Sequence, residues 1–207
     1  MNALLIVDVQ NDFLPGGNLA VPKGDQIIPI INNLQKKFQL IVASRDWHPA
    51  NHGSFASNHK KQKPGDITEL NGLEQILWPD HCIQGSPGAE LSPLLNQNFI
   101  QRIVFKGSNP EVDSYSAFFD NGHKIETELH SYLQKKSVKR LFVTGLAADV
   151  CVWFTVKDAL HLGYETFLIT DATKGVNINP DDTQKALDDM KQKGAILISS
   201  DQVEDFM

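Results

Sequence analysis

Six short apolar runs that alternate with stretches of helical periodicity constrain the fold more than any other feature of this sequence. The runs occupy residues 3–9, 40–44, 102–106, 140–144, 166–170 and 195–198. Helical spacing of apolar residues follows at 27–38, 125–133, 149–162 and 180–193, the last with Pro180 in its first turn. Near-continuous apolar runs are typical of strands buried on both faces, and strands that alternate with helices form parallel sheets. The sequence therefore predicts an α/β fold, a three-layer doubly wound sheet of six mainly parallel strands with helices on both faces.

The domain organisation follows from length and from one irregular segment. A chain of 207 residues with 41% hydrophobic content can bury one large core, and it contains no repeat or linker. We therefore expect a single domain over residues 1–207. Periodicity fails from residue 53 to about residue 93, where only residues 70–77 have a short helix-like pattern. Long irregular segments inside compact domains are usually functional, so we predict an insertion at about residues 46–95 that forms a lid and a metal site.

Charge and cysteine content exclude several classes of partner. The formal net charge of -6 and the pI near 5.6 argue against a nucleic-acid or membrane-surface partner. No apolar run reaches the roughly 20 residues that span a bilayer. The first residues lack the pattern of a signal peptide, and two cysteines are too few for a disulfide framework. We expect a cytoplasmic protein with a small-molecule partner, and a homo-oligomer is left open.

Cys151 is the first candidate catalytic residue. It follows a buried strand and a glycine, and it lies in the first turn of the predicted helix 149–162. The positive end of the helix dipole at that point favours a thiolate, which is the nucleophilic form of cysteine. The alternative is that Cys151 is a small buried apolar side chain, as cysteine often is.

Two charged residues strengthen the catalytic interpretation. Asp8 and Lys106 also lie at the carboxyl ends of predicted strands, where ligands bind in open α/β sheets. If the strands are neighbours, the thiol has an acid and a cation beside it, which suits a cysteine hydrolase with a carboxylate as its base. Each residue alone has a simpler explanation, Asp8 as a loop cap and Lys106 as a solvated cation.

A second cluster has the composition of a metal site. Asp46, His48 and His81 supply one carboxylate and two imidazoles, a suitable set for a divalent transition metal with positions left open. His52 and Cys82 are candidate further ligands. The alternative is that histidines in polar loops are solvated.

Five sequence blocks together carry a resemblance to a known family. They occupy residues 8–13, 46–49, 78–82, 106–107 and 145–152. In this order they resemble the motifs of the nicotinamidase (pyrazinamidase) branch of the isochorismatase-like cysteine hydrolases, and they cover nearly the whole chain. Each block alone is weak, but five in sequence are specific.

The resemblance implies a role for each candidate catalytic group. Cys151 would attack a carboxamide carbon, Asp8 would move the proton, and Lys106 would favour the ionised forms of its neighbours. The backbone N–H groups of Ala147 and Cys151 would form the oxyanion hole, after a cis peptide between Leu146 and Ala147.

The resemblance also implies a metal and a pocket. Asp46, His48 and His81 would hold one divalent transition metal, zinc first with manganese or iron as alternatives, and no organic cofactor is expected. The metal would orient the substrate ring. Phe13 and Trp78 would flank that ring and Tyr115 would close the pocket.

The implied activity is hydrolysis of nicotinamide to nicotinate and ammonia through a cysteine thioester, with pyrazinamide as a second substrate, in NAD salvage. The alternatives are a related amidase acting on another carboxamide, carbamoyl or ureido substrate, and a non-catalytic binding protein of the same fold. Ala148 and Val150 depart from residue types common in the family, so the pocket near the nucleophile is expected to differ. Asp12 and Asp149 are expected to be structural, through loop hydrogen bonds and helix capping.

Overall fold

The computed structural model describes residues 1–207 and contains a six-stranded parallel sheet surrounded by helices. The sheet strands are β1 (Asn2–Val7), β2 (Ile41–Asp46), β5 (Arg102–Lys106), β6 (Arg140–Leu146), β7 (Glu165–Lys174) and β8 (Ile196–Ile198). A separate antiparallel hairpin consists of β3 (Ile67–Leu70) and β4 (Leu73–Ile76). The helices are α1 (Ile28–Gln35), α2 (Leu129–Lys135), α3 (Cys151–His161) and α4 (Asp182–Gln192). The predicted α/β class and all six predicted strands are confirmed.

Side chains of the central strand alternate between two apolar layers. On β1, Leu4 and Ile6 belong to one buried cluster, which also contains Ile31 of α1. Leu5 and Val7 face the other cluster, which includes apolar residues of α2, α3 and α4. Because successive side chains of a strand point to opposite faces, a strand buried on both faces is apolar throughout, as β1 is. The three-layer arrangement is thus confirmed.

The strand order places a crevice at the centre of the sheet. The order is β5-β2-β1-β6-β7-β8, so the chain runs outward in one direction from β1 and in the other direction from β6. All pairs in this sheet are parallel. In such sheets ligands bind outside the carboxyl ends of the strands at the point where the order reverses. That point lies between the ends of β1 and β6, and Asp8 directly follows β1 while Cys151 lies five residues after the end of β6.

The expectation of a helix-like patch at residues 70–77 was wrong. These residues contain the turn and second strand of the β3–β4 hairpin. Asn71 and Gly72 both have positive φ, 52° and 79°, which is the backbone of the two-residue turns that Asn-Gly favours. The Asn-Gly pair is therefore the sequence signal that should have indicated a hairpin.

Helix boundaries differ from the predicted ones where aspartates hold turns. Helix α2 begins at Leu129 rather than at residue 125, since the Asp120 carboxylate accepts hydrogen bonds from the N–H groups of Lys124 and Ile125. Helix α4 begins at Asp182, after Asp181 adopts a left-handed backbone with φ of 68°. Both helices are therefore shorter than predicted. None of the helices has the length and apolar character that a membrane crossing needs.

Candidate functional site

Lys106 is the centre of a buried charge cluster at the carboxyl edge of the sheet. Its Nζ lies 2.9 Å from Asp8 Oδ2, 2.5 Å from Asp46 Oδ1 and 3.4 Å from Cys151 Sγ. It also donates to the carbonyl oxygen of Ser114 at 2.9 Å. The three residues predicted at strand ends are therefore in contact, because parallel neighbouring strands end at the same edge. A lysine with so many anionic or acceptor partners is not a solvated surface cation.

Burial and charge set the protonation of this cluster. Burial raises the pKa of Asp8 to about 6, even though Lys106 opposes the shift. The Ser44 hydroxyl donates to Asp8 Oδ1 at 2.7 Å. Burial alone would lower the pKa of Lys106, but Asp46 and Asp8 hold that pKa well above its usual value. At neutral pH Asp8 is thus a carboxylate able to accept a proton, beside a lysine that remains charged.

Cys151 is the first residue of α3, as its position in the sequence predicted. The expected lowering of its pKa by the helix terminus is not found. Burial raises the pKa of the Cys151 thiol well above its usual value, and the Asp8 and Asp46 carboxylates add to the rise, while Lys106 opposes it. The resting group is therefore a thiol, and its activation requires a neighbouring base. The sequence did not reveal this because the largest cause is burial, which depends on packing between distant segments.

The turn before Cys151 leaves two backbone donors free. The predicted cis peptide between Leu146 and Ala147 is present. The Ala147 carbonyl oxygen accepts from Val150 and Val152, whereas the N–H groups of Ala147 and Cys151 donate to no other protein group. Ala147 and Cys151 both line the same small pocket. Free donors in such a pocket suit an oxygen that gains negative charge.

Asp46, His48 and His81 form a compact set next to the charge cluster. The Asp46 Oδ2 atom lies 3.7 Å from Nε2 of His48 and 3.8 Å from Nε2 of His81. All three side chains are buried, and their ligand atoms lie within 4.8 Å of one another. Burial opposes the shift, but Lys106 and the two histidines hold the pKa of Asp46 well below its usual range. Asp46 is therefore an ionised carboxylate with one oxygen on Lys106 and the other facing two imidazoles.

Backbone carbonyls fix the orientation of both imidazoles. Nδ1 of His48 donates to the Gly107 carbonyl oxygen at 2.8 Å, and Nδ1 of His81 donates to that of Pro79 at 2.8 Å. A carbonyl oxygen only accepts, so each Nδ1 carries a proton, and Nε2 of each ring is the atom on the side of Asp46 that a metal would take. A Cβ at position 107 would lie 2.4 Å from His48 Cε1, so this close approach requires glycine. The donor set and its orientation fit a divalent transition metal.

The two further candidate ligands lie in different environments. His52 is buried beside His48, with ring centroids 4.4 Å apart, and its Nε2 has no hydrogen-bond partner. Its ligand atom groups with those of His48 and Asp113, a residue that the sequence analysis did not single out. Cys82, by contrast, packs in the apolar core, and its thiol pKa is raised by burial. The expectation of Cys82 as a ligand is corrected on this ground.

A pocket of about 370 Å³, including its open side, is lined by Cys151 and the metal-binding set. Its walls include the three predicted aromatic residues, Phe13, Trp78 and Tyr115. The Trp78 Nε1–H donates to the Tyr115 hydroxyl at 3.3 Å, and the two rings are perpendicular at 6.3 Å. The lining also includes three residues that were not predicted because they lie on loops without a motif, namely Leu19, Asp113 and Val176. Apolar walls around a few convergent polar groups are typical of a small-molecule site.

Asp12 and Asp149 have structural roles near the pocket, as their hydrogen bonds show. Asp12 accepts from the Cys82 N–H at 2.7 Å, which joins the Phe13 loop to the segment that carries His81. Asp149 accepts from the N–H groups of Val176 and Asn177, at 2.9 and 2.7 Å. Asp149 therefore holds a loop rather than capping α3. Both residues organise backbone near the pocket.

Comparisons with known proteins point to one family. The family described as "Isochorismatase domain" matches residues 2–202. A nicotinamidase of Escherichia coli (strain K12) is 52% identical over 199 residues, which cover 94% of this chain and 93% of that protein. The structure of an Acinetobacter baumanii nicotinamidase/pyrazinamidase superposes with a TM-score of 0.95 at 44% identity, over 98% of this chain and 97% of the other. A pyrazinamidase of Pyrococcus horikoshii in complex with zinc gives a TM-score of 0.77 at 40% identity, over 96% and 98%.

Proposed function

Because the chain belongs to the isochorismatase family of hydrolases, we propose that it is a metal-dependent amidohydrolase that converts nicotinamide to nicotinate and ammonia. Pyrazinamide, which has a similar ring and the same primary amide, is proposed as a second substrate. The observation that carries the proposal is the contact of Lys106 with Asp8, Asp46 and Cys151, which puts a thiol, a base and the metal-binding carboxylate in one buried cluster. Release of nicotinate would supply the salvage of NAD.

The first half of the reaction forms a thioester and releases ammonia. Asp8 accepts the Cys151 thiol proton as the sulfur bonds to the carboxamide carbon. The negative charge that develops on the carbonyl oxygen is stabilised by the free N–H groups of Ala147 and Cys151. The C–N bond then breaks, and the leaving nitrogen takes the proton from Asp8 and departs as ammonia.

The second half hydrolyses the thioester. Asp8, again a carboxylate, takes a proton from water as the water oxygen bonds to the acyl carbon. The C–S bond breaks, Asp8 returns the proton to the sulfur, and the acid is released. Lys106 remains charged throughout, so it stabilises the anionic forms of Asp8 and Cys151 in turn.

Asp46, His48 and His81 would hold the metal through one carboxylate oxygen and two Nε2 atoms. A bound divalent ion, with zinc the first expectation, would supply a Lewis acid that orients the nitrogen of the substrate ring. Phe13 and Trp78 would contact the ring faces, and Tyr115 would close the pocket. Fixing the ring at one end and the amide at the other brings the carbonyl carbon close to the sulfur.

The test is ammonia release from nicotinamide by metal-loaded protein. We expect turnover that is lost after chelation, is restored by metal, and is abolished in Cys151→Ala. Ser108→Ala, on the strand-end loop beside Lys106 but outside the pocket lining, is the control. Failure to release ammonia from nicotinamide, with release from a ureido or carbamoyl compound instead, would assign the protein to another amidase of the family.

A further inference from the structure

A second cavity lies against the mouth of the small pocket. This groove has a volume of about 1030 Å³, including its open side, and runs between the hairpin, α3 and α4. Trp78, Tyr115 and Val150 line both the groove and the small pocket. The two cavities therefore share one wall.

Part of the mouth of the small pocket borders this groove. Most residues that line the small pocket are buried, and the partly exposed ones mark its mouth. They are Leu19, Tyr115, Val150 and Val176. Tyr115 and Val150 also line the groove, and Ile178 of the groove is two residues from Val176. A group that extends from the small pocket between Tyr115 and Val150 would lie in the groove.

The orientation of the proposed substrate points one ring position at this mouth. Positions 1, 3 and 5 of a six-membered ring are directed 120° apart. With the ring nitrogen at position 1 toward the metal-binding set and the carboxamide at position 3 on Cys151, position 5 points away from both. Those two sides of the pocket are buried and the partly exposed lining residues lie elsewhere, so position 5 would face the open side.

The groove has the chemistry of a site for a neutral aromatic group. Its walls carry the rings of Trp153 and Phe154 and the apolar side chain of Ile178. Tyr115 and Phe154 contact edge to face at 5.2 Å, so the aromatic wall continues from the pocket into the groove. The charged residues of the lining are three carboxylates and one lysine, which disfavours an anionic group. They are Asp149, Asp182, Asp189 and Lys185.

We propose that the groove is an extension of the active site that accepts a neutral aryl substituent on the substrate ring, so that the enzyme also hydrolyses 5-aryl pyridine-3-carboxamides. This inference rests on the proposed function, and it adds a substrate class to it. In this arrangement the small pocket binds the amide and the ring nitrogen of the substrate. The groove binds the aryl group attached at position 5 of the ring.

The experiment compares three amides on the metal-loaded protein: nicotinamide, 5-phenylpyridine-3-carboxamide and its 4-carboxyphenyl analogue. We expect kcat/KM for the phenyl compound to lie within about tenfold of that for nicotinamide, and the anionic analogue to be at least about tenfold worse than the phenyl compound. Titration calorimetry with Cys151→Ala should give the same order of affinity without turnover.

The variant Ile178→Asp tests whether the aryl group binds in the groove. Ile178 is 49% exposed and touches only the groove, so the substitution should leave nicotinamide turnover within about twofold and lower kcat/KM for the phenyl compound about tenfold. Ile67→Asp is the matched control, since Ile67 is 59% exposed on the hairpin and lines neither cavity. The inference is overturned if nicotinamide is hydrolysed while the phenyl compound is neither bound nor hydrolysed, or if Ile178→Asp affects both amides equally. If neither amide is hydrolysed, the proposed function fails first, and the extension fails with it.

Discussion

Gln10 should stabilise the protein chiefly by holding the backbone of Asp46. It is fully buried, and its side-chain amide makes three hydrogen bonds to backbone groups. Nε2 donates to the carbonyl oxygens of Asp46, at 2.8 Å, and Ala89, at 2.9 Å, while Oε1 accepts from the Asp46 N–H at 2.8 Å. Both backbone polar groups of Asp46 are thus satisfied by one side chain.

The cost of Gln10→Ala can be worked out from these bonds. The substitution leaves the N–H and carbonyl groups of Asp46 without partners, whereas the Ala89 carbonyl oxygen still accepts from Arg45 Nε at 2.9 Å. A buried group left unsatisfied costs about 1–3 kcal/mol, and the lower bound applies to each because water enters the space left by the side chain. These two groups cost about 2 kcal/mol and the lost packing adds about 1 kcal/mol, so the free energy of unfolding should fall by about 3 kcal/mol. The same variant should bind metal more weakly, since Asp46 is no longer held in place.

Gln35→Ala is the matched control. Gln35 is also buried, but its amide makes a single bond of 3.3 Å to Asn32, and its Oε1 has no partner. It loses the same atoms on substitution, so we expect a loss of about 1 kcal/mol, from packing alone. Urea unfolding of both metal-free variants measures the difference, and competition with a chromogenic chelator measures metal affinity. Equal losses of stability in the two variants would refute the role assigned to the Gln10 bonds.

Three further changes test other parts of the site. The pKa of Asp8 is raised to about 6, and its carboxylate is the proposed base. Below pH 6, kcat/KM for nicotinamide should therefore decrease, with a limiting slope of about tenfold per pH unit. A profile that is flat down to pH 5 in metal-saturated protein would show that Asp8 is not the base. In Gly88→Ala the new Cβ would lie 2.1 Å from Asp12 Oδ2, so the free energy of unfolding, measured by thermal unfolding, should fall by about 2 kcal/mol. In the control Gly122→Ala the nearest atoms to the new Cβ are at 3.4 Å, so stability should be nearly unchanged. Asp149→Ala removes the bonds to the N–H groups of Val176 and Asn177, so trypsin should cleave after Lys174 faster than in wild type, while Asp188→Ala on α4 should leave the cleavage rate unchanged.

The sequence predicted the features that depend on periodicity and strand direction. Asp8, Lys106 and Cys151 are far apart in the chain, but each lies at the carboxyl end of an apolar run, and parallel strands bring such ends together. Asp46 was identified by its neighbours in the sequence. Besides facing the two histidines, Asp46 contacts Lys106, because β2 pairs with β5 and the two residues are directly opposite each other in that pairing.

The features that the sequence did not predict depend on packing between distant segments. The helix terminus at Cys151 is a local signal, but burial and two carboxylates from other strands outweigh it and raise the thiol pKa. The groove depends on how α4 packs beside α3, which apolar spacing does not determine. The β3–β4 hairpin, in contrast, could have been predicted from the local sequence. Asn71-Gly72 indicates a two-residue turn, but the helical spacing of the nearby leucines favoured a helix instead.

The buried charges explain how a thiol with a raised pKa can still serve as a nucleophile. Lys106 carries one positive charge against the two carboxylates of Asp8 and Asp46. When the Cys151 proton moves to Asp8, one anion replaces another and the net charge of the cluster does not change. Burial therefore opposes ionisation of Cys151 into solvent much more than it opposes this internal transfer. Lys106 lies within 3.4 Å of the sulfur and 2.9 Å of Asp8 Oδ2, so it stabilises the anion on either side of the transfer. The same lysine holds Asp46, which links the proton-transfer half of the site to its metal-binding half.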